Sequence, residues 1–438
     1  MIPAWRTYGL LILGLAIAPL VTMVWHPQQP VLITGLAIGG FDLIILGLMV
    51  IDGQRVASQK VEVGRQVAEK LSIGRDNLVQ LTVQAKGAAI VQIRDGFPVA
   101  LNASVPTVQT SLPNRTTEEL TYSIHPTQRG SYTWGSIQVR QLSPWKLAWF
   151  GWSIPQMQTV AVYPDLMGLQ ALSIRLTLQS AGSIRQARRL GIGTEFTELK
   201  EYATGDDPRL IDWKATARRS RILIRVLEPE QEQTLIILLD RGRLMTAQIK
   251  GLTRFDWGLN ATLALALAGL RRGDRVGVAV FDRQIHTWIP PERGNSQLPH
   301  LLERLTPIQP VLLEPDYFGA VTSIVNQQTR RALVVMITDL VDAIASVELL
   351  AALGRLAPRY LPFCVTLRDP EVDRQAQLQT QKIVDTYARA VALNLIYQRQ
   401  MAFALLKQRG ALVLDAPANQ VTDQLVDRYL QIKARSLL

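Results

Sequence analysis

A chain of 438 residues, 48% of them hydrophobic, holds enough apolar material for two or three folded units. Its formal charge of +11 invites anionic partners (nucleic acid, lipid headgroups or an acidic protein face), but acids are scattered among the bases, which weakens the nucleic-acid reading. The single cysteine, Cys364, excludes an internal disulfide and fits a reducing compartment, and His26, His125, His286 and His300 stand at no metal-ligand spacing, so no zinc site is expected.

Residues 1–55 read as a transmembrane helical hairpin. The runs Tyr8–Trp25 and Val31–Ile51 are almost wholly apolar, and each is long enough to cross a hydrocarbon core of roughly 30 Å as a helix. The first run lacks a small-x-small cleavage site and a second span follows at once, so it reads as retained rather than as a signal peptide. The linker His26–Pro30 carries no lysine or arginine, whereas Arg6 precedes the first span and Arg55, Lys60, Arg65 and Lys70 follow the second. The positive-inside rule then puts both flanks, and everything after Ile51, in the cytoplasm. Gly35, Gly39 and Asp42 share one face of the second helix. They are expected to pack against another helix, within the hairpin or in an oligomer, since a carboxylate at mid-membrane needs a partner or a proton.

Residues 56–165 switch to a period of two. Val79, Leu81 and Val83 alternate with Gln80, Thr82 and Gln84, and Val91 and Ile93 flank Gln92. Turn signals at Gly74, Asp95-Gly96, Pro113-Asn114 and Arg129-Gly130 separate such runs, predicting an antiparallel β-sandwich. Trp145, Trp149, Phe150 and Trp152 read as one loop, covering an open end of the sandwich or meeting the membrane interface.

Residues 230–438 alternate strand and helix. Leu235–Leu239 ends in Asp240, Arg275–Phe281 ends in Asp282, Ala332–Ile337 ends in Thr338-Asp339, and Leu361–Leu367 is a further apolar run. A helix over Asp256–Arg271 and two more near Gln381–Gln408 and Thr422–Ala434 complete a doubly wound parallel α/β sheet with acids along its carboxyl edge.

The connector, residues 166–229, contains Gly193-Thr194-Glu195-Phe196, Lys200-Glu201-Tyr202, Gly205-Asp206-Asp207-Pro208-Arg209-Leu210-Ile211-Asp212-Trp213 and Ala217-Arg218. Asp207-Pro208 reads as a helix start, with Leu210, Trp213 and Ala217 on one face. The segment resembles domain-of-unknown-function family 58, whose pattern is Gly-x-Glu-Phe, Arg-Glu-Tyr, Gly-Asp-x-x-Arg-x-Ile-Asp-Trp and Ala-Arg; Lys200 replaces the usual arginine. That resemblance implies a bacterial membrane protein, often encoded beside a MoxR-type AAA+ ATPase, whose α/β part is von Willebrand factor A-like. In that likeness Asp240 and Asp339 match the two aspartates of a metal-ion-dependent adhesion site. Gly242, Leu244 and Pro315 stand where hydroxyl ligands would be, so the metal site is expected to be degenerate and no cofactor is expected.

No P-loop and no Gly-x-Ser-x-Gly elbow is present, so no enzyme is expected. The favoured reading is a membrane-tethered scaffold or adaptor working with a MoxR-type AAA+ ATPase on a client complex, with membrane lipid as a second partner and a homo-oligomer open. Its docking residues would be Glu195, Tyr202, Asp206, Arg209, Asp212, Trp213, Arg218 and Arg219, which combine aromatic and arginine side chains. Against this stands a purely internal role, with Trp213 and Ile211 pinning the connector helix and the aspartates pairing with its arginines. The alternative function is a basic membrane-associated protein that binds nucleic acid or an anionic lipid surface.

Overall fold

Apolar residues with no proline between Trp5 and Pro19 carry the first helix, and Pro30 at the first position of the second suits its fixed φ. In the computed structural model these helices are α1 (Trp5–Trp25) and α2 (Pro30–Ser58), preceded by a short strand β1 (Ile2–Pro3). The structure describes residues 1–25, 30–190, 195–228, 233–340, 347–357, 359–378 and 383–434, with backbone only at 18–25, 30–33, 179–190, 195–197 and 226–228. Among them one helix, Thr34–Ser58 within α2, is long and apolar enough to cross a membrane. The chain divides into two units, Met1–Tyr163 and Pro164–Leu438. The predicted connector, 166–229, falls in the second.

Among the described residues, close packing of α1 on α2 is seen at Gly14. A Cβ on Gly14 would stand 2.5 Å from Phe41 Cδ1 and 3.5 Å from Asp42 Oδ1, whereas no described atom lies within 4 Å of such a Cβ at Gly35 or Gly39. The predicted face thus divides: Asp42 lies against α1, and the two glycines are open toward the described residues. The Asp42 Oδ1 is buried without a hydrogen-bond partner among those residues.

The rest of the first unit is β2 (Glu62–Gln66), β3 (Lys70–Ser72), β4 (Asn77–Gln84), β5 (Ala89–Arg94), β6 (Val108–Leu112), β7 (Thr117–Ile124), β8 (Gly130–Trp134), β9 (Ile137–Leu142), β10 (Ala148–Ile154) and β11 (Gln158–Tyr163). They form three sheets, in the orders β1-β10-β9-β5-β6, β2-β4-β7 and β3-β11-β8. Every pair is antiparallel except β3–β11, which is parallel. The period-two pattern does what it should: Val79, Leu81 and Val83 are buried along β4. Trp149, Phe150 and Trp152 are not in a loop. They stand on β10, with Trp149 opposite Leu142 and Trp152 opposite Val139, because the turn that Pro144 and Trp145 make is already finished at Leu147. A buried ion pair also sits in this unit, Arg65 Nη1 to Asp95 Oδ1 at 2.6 Å. The other Asp95 oxygen accepts from Tyr122 at 2.6 Å and Trp134 at 3.2 Å, so the carboxylate is fully used.

The second unit begins with α3 (Leu166–Leu190), then β12 (Glu195–Glu201), α4 (Trp213–Arg219) and β13 (Leu223–Glu228). Then come β14 (Thr234–Asp240), a small hairpin β15 (Gln248–Ile249) and β16 (Leu252–Thr253), α5 (Arg254–Arg271), β17 (Arg275–Phe281), β18 (Ile285–Glu292), α6 (Gln297–Leu305) and α7 (Tyr317–Gln327). The last elements are β19 (Leu333–Thr338), α8 (Val347–Leu356), β20 (Leu361–Arg368), α9 (Pro370–Gln377), α10 (Ile383–Gln408), β21 (Leu412–Pro417) and α11 (Val421–Ala434). A six-stranded sheet runs β18-β17-β14-β19-β20-β21, parallel except for the antiparallel edge strand β18. Both faces are covered. Leu235, Ile237 and Leu239 pack with residues of α5 and α11 on one side, while Ile236 and Leu238 pack with residues of α7, α8 and α10 on the other. Such double cover explains the unbroken apolar run. Helix α5 starts at a capping box, Thr253 with Asp256, which directs it away from the carboxyl edge.

Candidate functional site

The connector motif builds an arm. Strands β12 and β13 pair antiparallel, from Glu195 opposite Glu228 to Glu201 opposite Leu223, and α4 lies between them in sequence. The helix predicted from Asp207 is broken in two. Asp207 caps only the short turn Pro208–Leu210, and Asp212 caps α4 by accepting the Ala215 N–H at 3.0 Å. Leu210 therefore does not share a helix face with Trp213 and Ala217.

Three acids of the arm are paired inside it. Asp206 meets Lys200 at 2.8 Å and accepts from Ala203 N, and Lys200 chiefly holds its carboxyl below the usual range. Asp212 meets Arg225 at 3.1 Å, and the Ala215 N–H chiefly lowers its carboxyl. Glu201 takes Arg221 at 2.6 Å. The aspartates thus pair internally, but with Lys200 and Arg225 rather than with Arg218 and Arg219.

What remains exposed is aromatic and cationic. Trp213 is 70% exposed, so it does not pin the helix to a core. Tyr202, Arg209, Lys214, Arg218 and Arg219 are exposed too, and their side chains make no ion pair or hydrogen bond among the described residues. The side chain of Glu195 lies outside the described residues. The arm therefore carries an exposed indole and several exposed cations that make no ion pair among the described residues.

At the carboxyl edge of the sheet, Asp240 and Asp339, the two aspartates of the expected degenerate site, have protein partners. Asp240 is buried at the end of β14. Its Oδ1 accepts the Gly242 N–H at 2.7 Å, and its Oδ2 accepts from the Thr338 hydroxyl at 2.7 Å and the Tyr317 hydroxyl at 3.3 Å. Burial pushes its carboxyl up to about 6, against these hydrogen bonds. Asp339 is held between two guanidinium groups, Arg254 at 2.8 Å on one oxygen and Arg399 at 2.8 Å on the other. Arg399 continues to Asp415 at 2.8 Å, and Arg368 reaches the other Asp415 oxygen at 3.3 Å. Arg241 closes on Asp282 at 2.7 Å. The Gly242 position is filled by a neighbouring loop: a Cβ there would stand 2.8 Å from Leu313 O and 3.0 Å from Asp240 Oδ1. No described group of three or more His, Cys, Asp or Glu residues could hold a metal ion.

Sequence reasoning missed Tyr317, Thr338, Arg254, Arg399 and Asp415. Only Arg399 left a trace, as the one charge on the face of α10 that Ala392, Ala402, Phe403 and Leu406 bury.

Residues 198–393, from within β12 to within α10, match the model of the family described as Protein of unknown function DUF58. The chain carries a DUF58 domain. An uncharacterized protein of Mycobacterium bovis is 24% identical to it over 182 residues, covering 41% of this chain and 56% of that protein, so the match reaches only a little over half of the relative's length. The uncharacterized protein YeaD of Bacillus subtilis is 25% identical over 107 residues, 24% of this chain and 25% of that protein. Among solved structures, the conserved hypothetical protein BatB of Bacteroides thetaiotaomicron aligns with 46% of this chain and 99% of its own at 16% identity, with a TM-score of 0.33. An aerotolerance-related membrane protein of Bacteroides fragilis aligns with 45% and 99% at 15% identity, with a TM-score of 0.30. The DUF58 match begins inside the arm and covers Trp213, Asp240, Arg254 and Asp339, while Arg399 and Asp415 lie beyond its end.

Proposed function

We propose that this protein is a membrane-tethered, non-enzymatic scaffold that docks a MoxR-type AAA+ ATPase through the β12–α4–β13 arm, and so brings it to a client complex. On this reading α1 and α2 form a two-helix transmembrane hairpin with the remainder cytoplasmic, as the basic flanks Arg6, Arg55 and Lys60 favour. The second unit is then a von Willebrand factor A-like domain in which arginines stand in for the metal. The observation that carries the docking claim is the exposure of Trp213 on the same short helix as Arg218 and Arg219, since aromatic and arginine side chains are enriched in interface hot spots. A large indole left in water is poor use of a core-forming residue and good use of a docking one. Charge reversal at Arg218 and Arg219 tests it: ATPase co-purification should be lost while the melting temperature holds, because exposed substitutions shift stability by no more than about 0.5 kcal/mol. Unchanged folding with unchanged association would refute the assignment to these two residues.

A further inference from the structure

We infer that the turn Ser143–Leu147 of the first unit is an interfacial anchor, seated among anionic phospholipid headgroups with Trp145 at headgroup depth and Arg6, Arg55 and Lys146 facing the phosphates. This rests on the membrane-spanning reading above and adds to it a third, non-helical point of attachment.

The geometry fixes the depth of the turn. Ala4, just before α1, donates its N–H to Leu147 O at 2.8 Å, and from α1 the Thr7 hydroxyl donates to the same oxygen. From α2, the fully buried Asp52 carboxylate accepts the Trp145 N–H at 3.2 Å and the Leu147 N–H at 3.4 Å. Strand β1 pairs with β10 directly after the turn, Ile2 opposite Trp149. The apolar stretch of α1 begins at Tyr8, one residue beyond Thr7, and that of α2 ends at Ile51, one residue before Asp52. Each residue of a helix advances about 1.5 Å, so the turn is held within a few ångströms of the border between hydrocarbon and water. It cannot stand off from a bilayer that both helices cross.

The side chains at this level suit that border. Trp5 is 89% exposed, Tyr8 49% and Trp145 43%, all aromatic rings with a polar tip of the kind enriched at membrane interfaces. Residues 1–8, 52–60 and 143–152 carry the side-chain charges Arg6, Asp52, Arg55, Lys60 and Lys146. The one acid among them is buried and spent on the turn, so every exposed charged side chain in these segments is a cation. The Arg55 guanidinium stacks on the Trp145 ring at 4.3 Å, which holds the charge beside the indole instead of letting it fold back. Lys146 has φ +63° and closes the turn by donating its N–H to Ser143 O, leaving its side chain outside. Positive charges within a Debye length of an anionic leaflet are drawn to it, and these are in contact range.

The test uses the full chain in nanodiscs of phosphatidylcholine alone or mixed with phosphatidylglycerol, with a fluorophore placed at Lys146→Cys or at Leu43→Cys. The native Cys364 is fully buried, its thiol pushed up to about 12, and does not compete for label. Leu43 is exposed on α2 and reports spanning on its own. The expected result is quenching of the Leu43 label by lipids brominated deep in the chain. Quenching of the Lys146 label should come from lipids brominated near the headgroup, severalfold stronger in the anionic discs and reduced to the neutral-disc level by Arg6→Gln with Arg55→Gln. A quenched Leu43 label with an unquenched Lys146 label overturns the anchor while leaving the spanning helices standing. Equal Lys146 quenching in both discs overturns the choice of anionic headgroups, and an unquenched Leu43 label removes the spanning reading and the anchor with it.

Discussion

Arg399, reaching in from α10, lies 2.8 Å from Asp339 at the end of β19 and 2.8 Å from Asp415 at β21, so one guanidinium ties three elements of the carboxyl edge together. Removing Arg399 leaves Asp339 with Arg254 alone and Asp415 with Arg368 alone, a loss of compensation for buried charge, whereas replacing the whole set by apolar groups need not destabilise. Arg399→Ala is expected to cost about 3–5 kcal/mol in denaturant unfolding. Adding Asp339→Asn should recover part of that loss. Full additivity of the two changes would show that the residues do not act as a pair.

Asp240 gives a dependence on pH. Burial raises its carboxyl from an ordinary 3.8 to about 6, so between these values the folded protein holds a proton that the unfolded chain releases. The contribution of this group is therefore most favourable in acid and falls as pH rises through that window, by about 3 kcal/mol at most. Asp240→Asn, which copies the protonated form, should lose nothing over the same range. Its stability relative to the parent should climb from about pH 4 to about pH 6 and then level off. Parallel profiles would refute the shift.

Divalent metal is expected to give no gain in melting temperature. Any ligand specific to the native state must stabilise it by mass action. At this edge, however, Asp339 is occupied by Arg254 and Arg399, and the neighbouring Gly242 carries no hydroxyl. A rise at millimolar Mg²⁺ that disappears in Asp240→Ala would contradict this.

In the first unit, Asp52→Ala strands the N–H of Trp145 and leaves that of Leu147 with Ser143 Oγ alone. The cost should be about 1–3 kcal/mol for each group that water cannot reach, read as a lower melting temperature in mild detergent. Asp52→Asn keeps an acceptor and should lose less. Equal losses would show that the hydrogen bonds are not the reason the residue is buried.

Gly14→Leu should separate α1 from α2, because even a Cβ would reach within 2.5 Å of the Phe41 ring. Gly35→Leu and Gly39→Leu, where no described atom stands that near, should be tolerated much better in the same melting experiment.

Legibility followed the range of the interaction. Val79, Leu81 and Val83 announce β4, and Leu235–Leu239 announces a strand buried on both faces, because burial of a single element writes its own period into the sequence. Partnerships across the chain leave no such period. Nothing local in Ile2-Pro3 tells of pairing with β10 some 147 residues on, and nothing in Asp339 names Arg399 as its partner. Gly14 and the pair Gly35 and Gly39 look alike as small residues in apolar helices, and only the position of Phe41 separates them. The arm was misread for a related reason: Asp207-Pro208 does start a turn, but Asp212 competes as a second cap and wins the longer helix. Trp213 was open in sequence to either a core or a docking role, and its exposure decides against the core.

The most direct measurement is site-specific photocrosslinking from the arm, with benzoylphenylalanine at Trp213 in the full chain in its own membranes. The expected outcome is a crosslink whose partner is identified by mass spectrometry as a AAA+ ATPase. It should be lost when Arg218 and Arg219 are reversed in charge and absent from a probe at Thr117 on the first unit. A probe at Trp213 that captures no ATPase, while the protein remains folded and the ATPase is present in the same cells, would contradict docking through this arm.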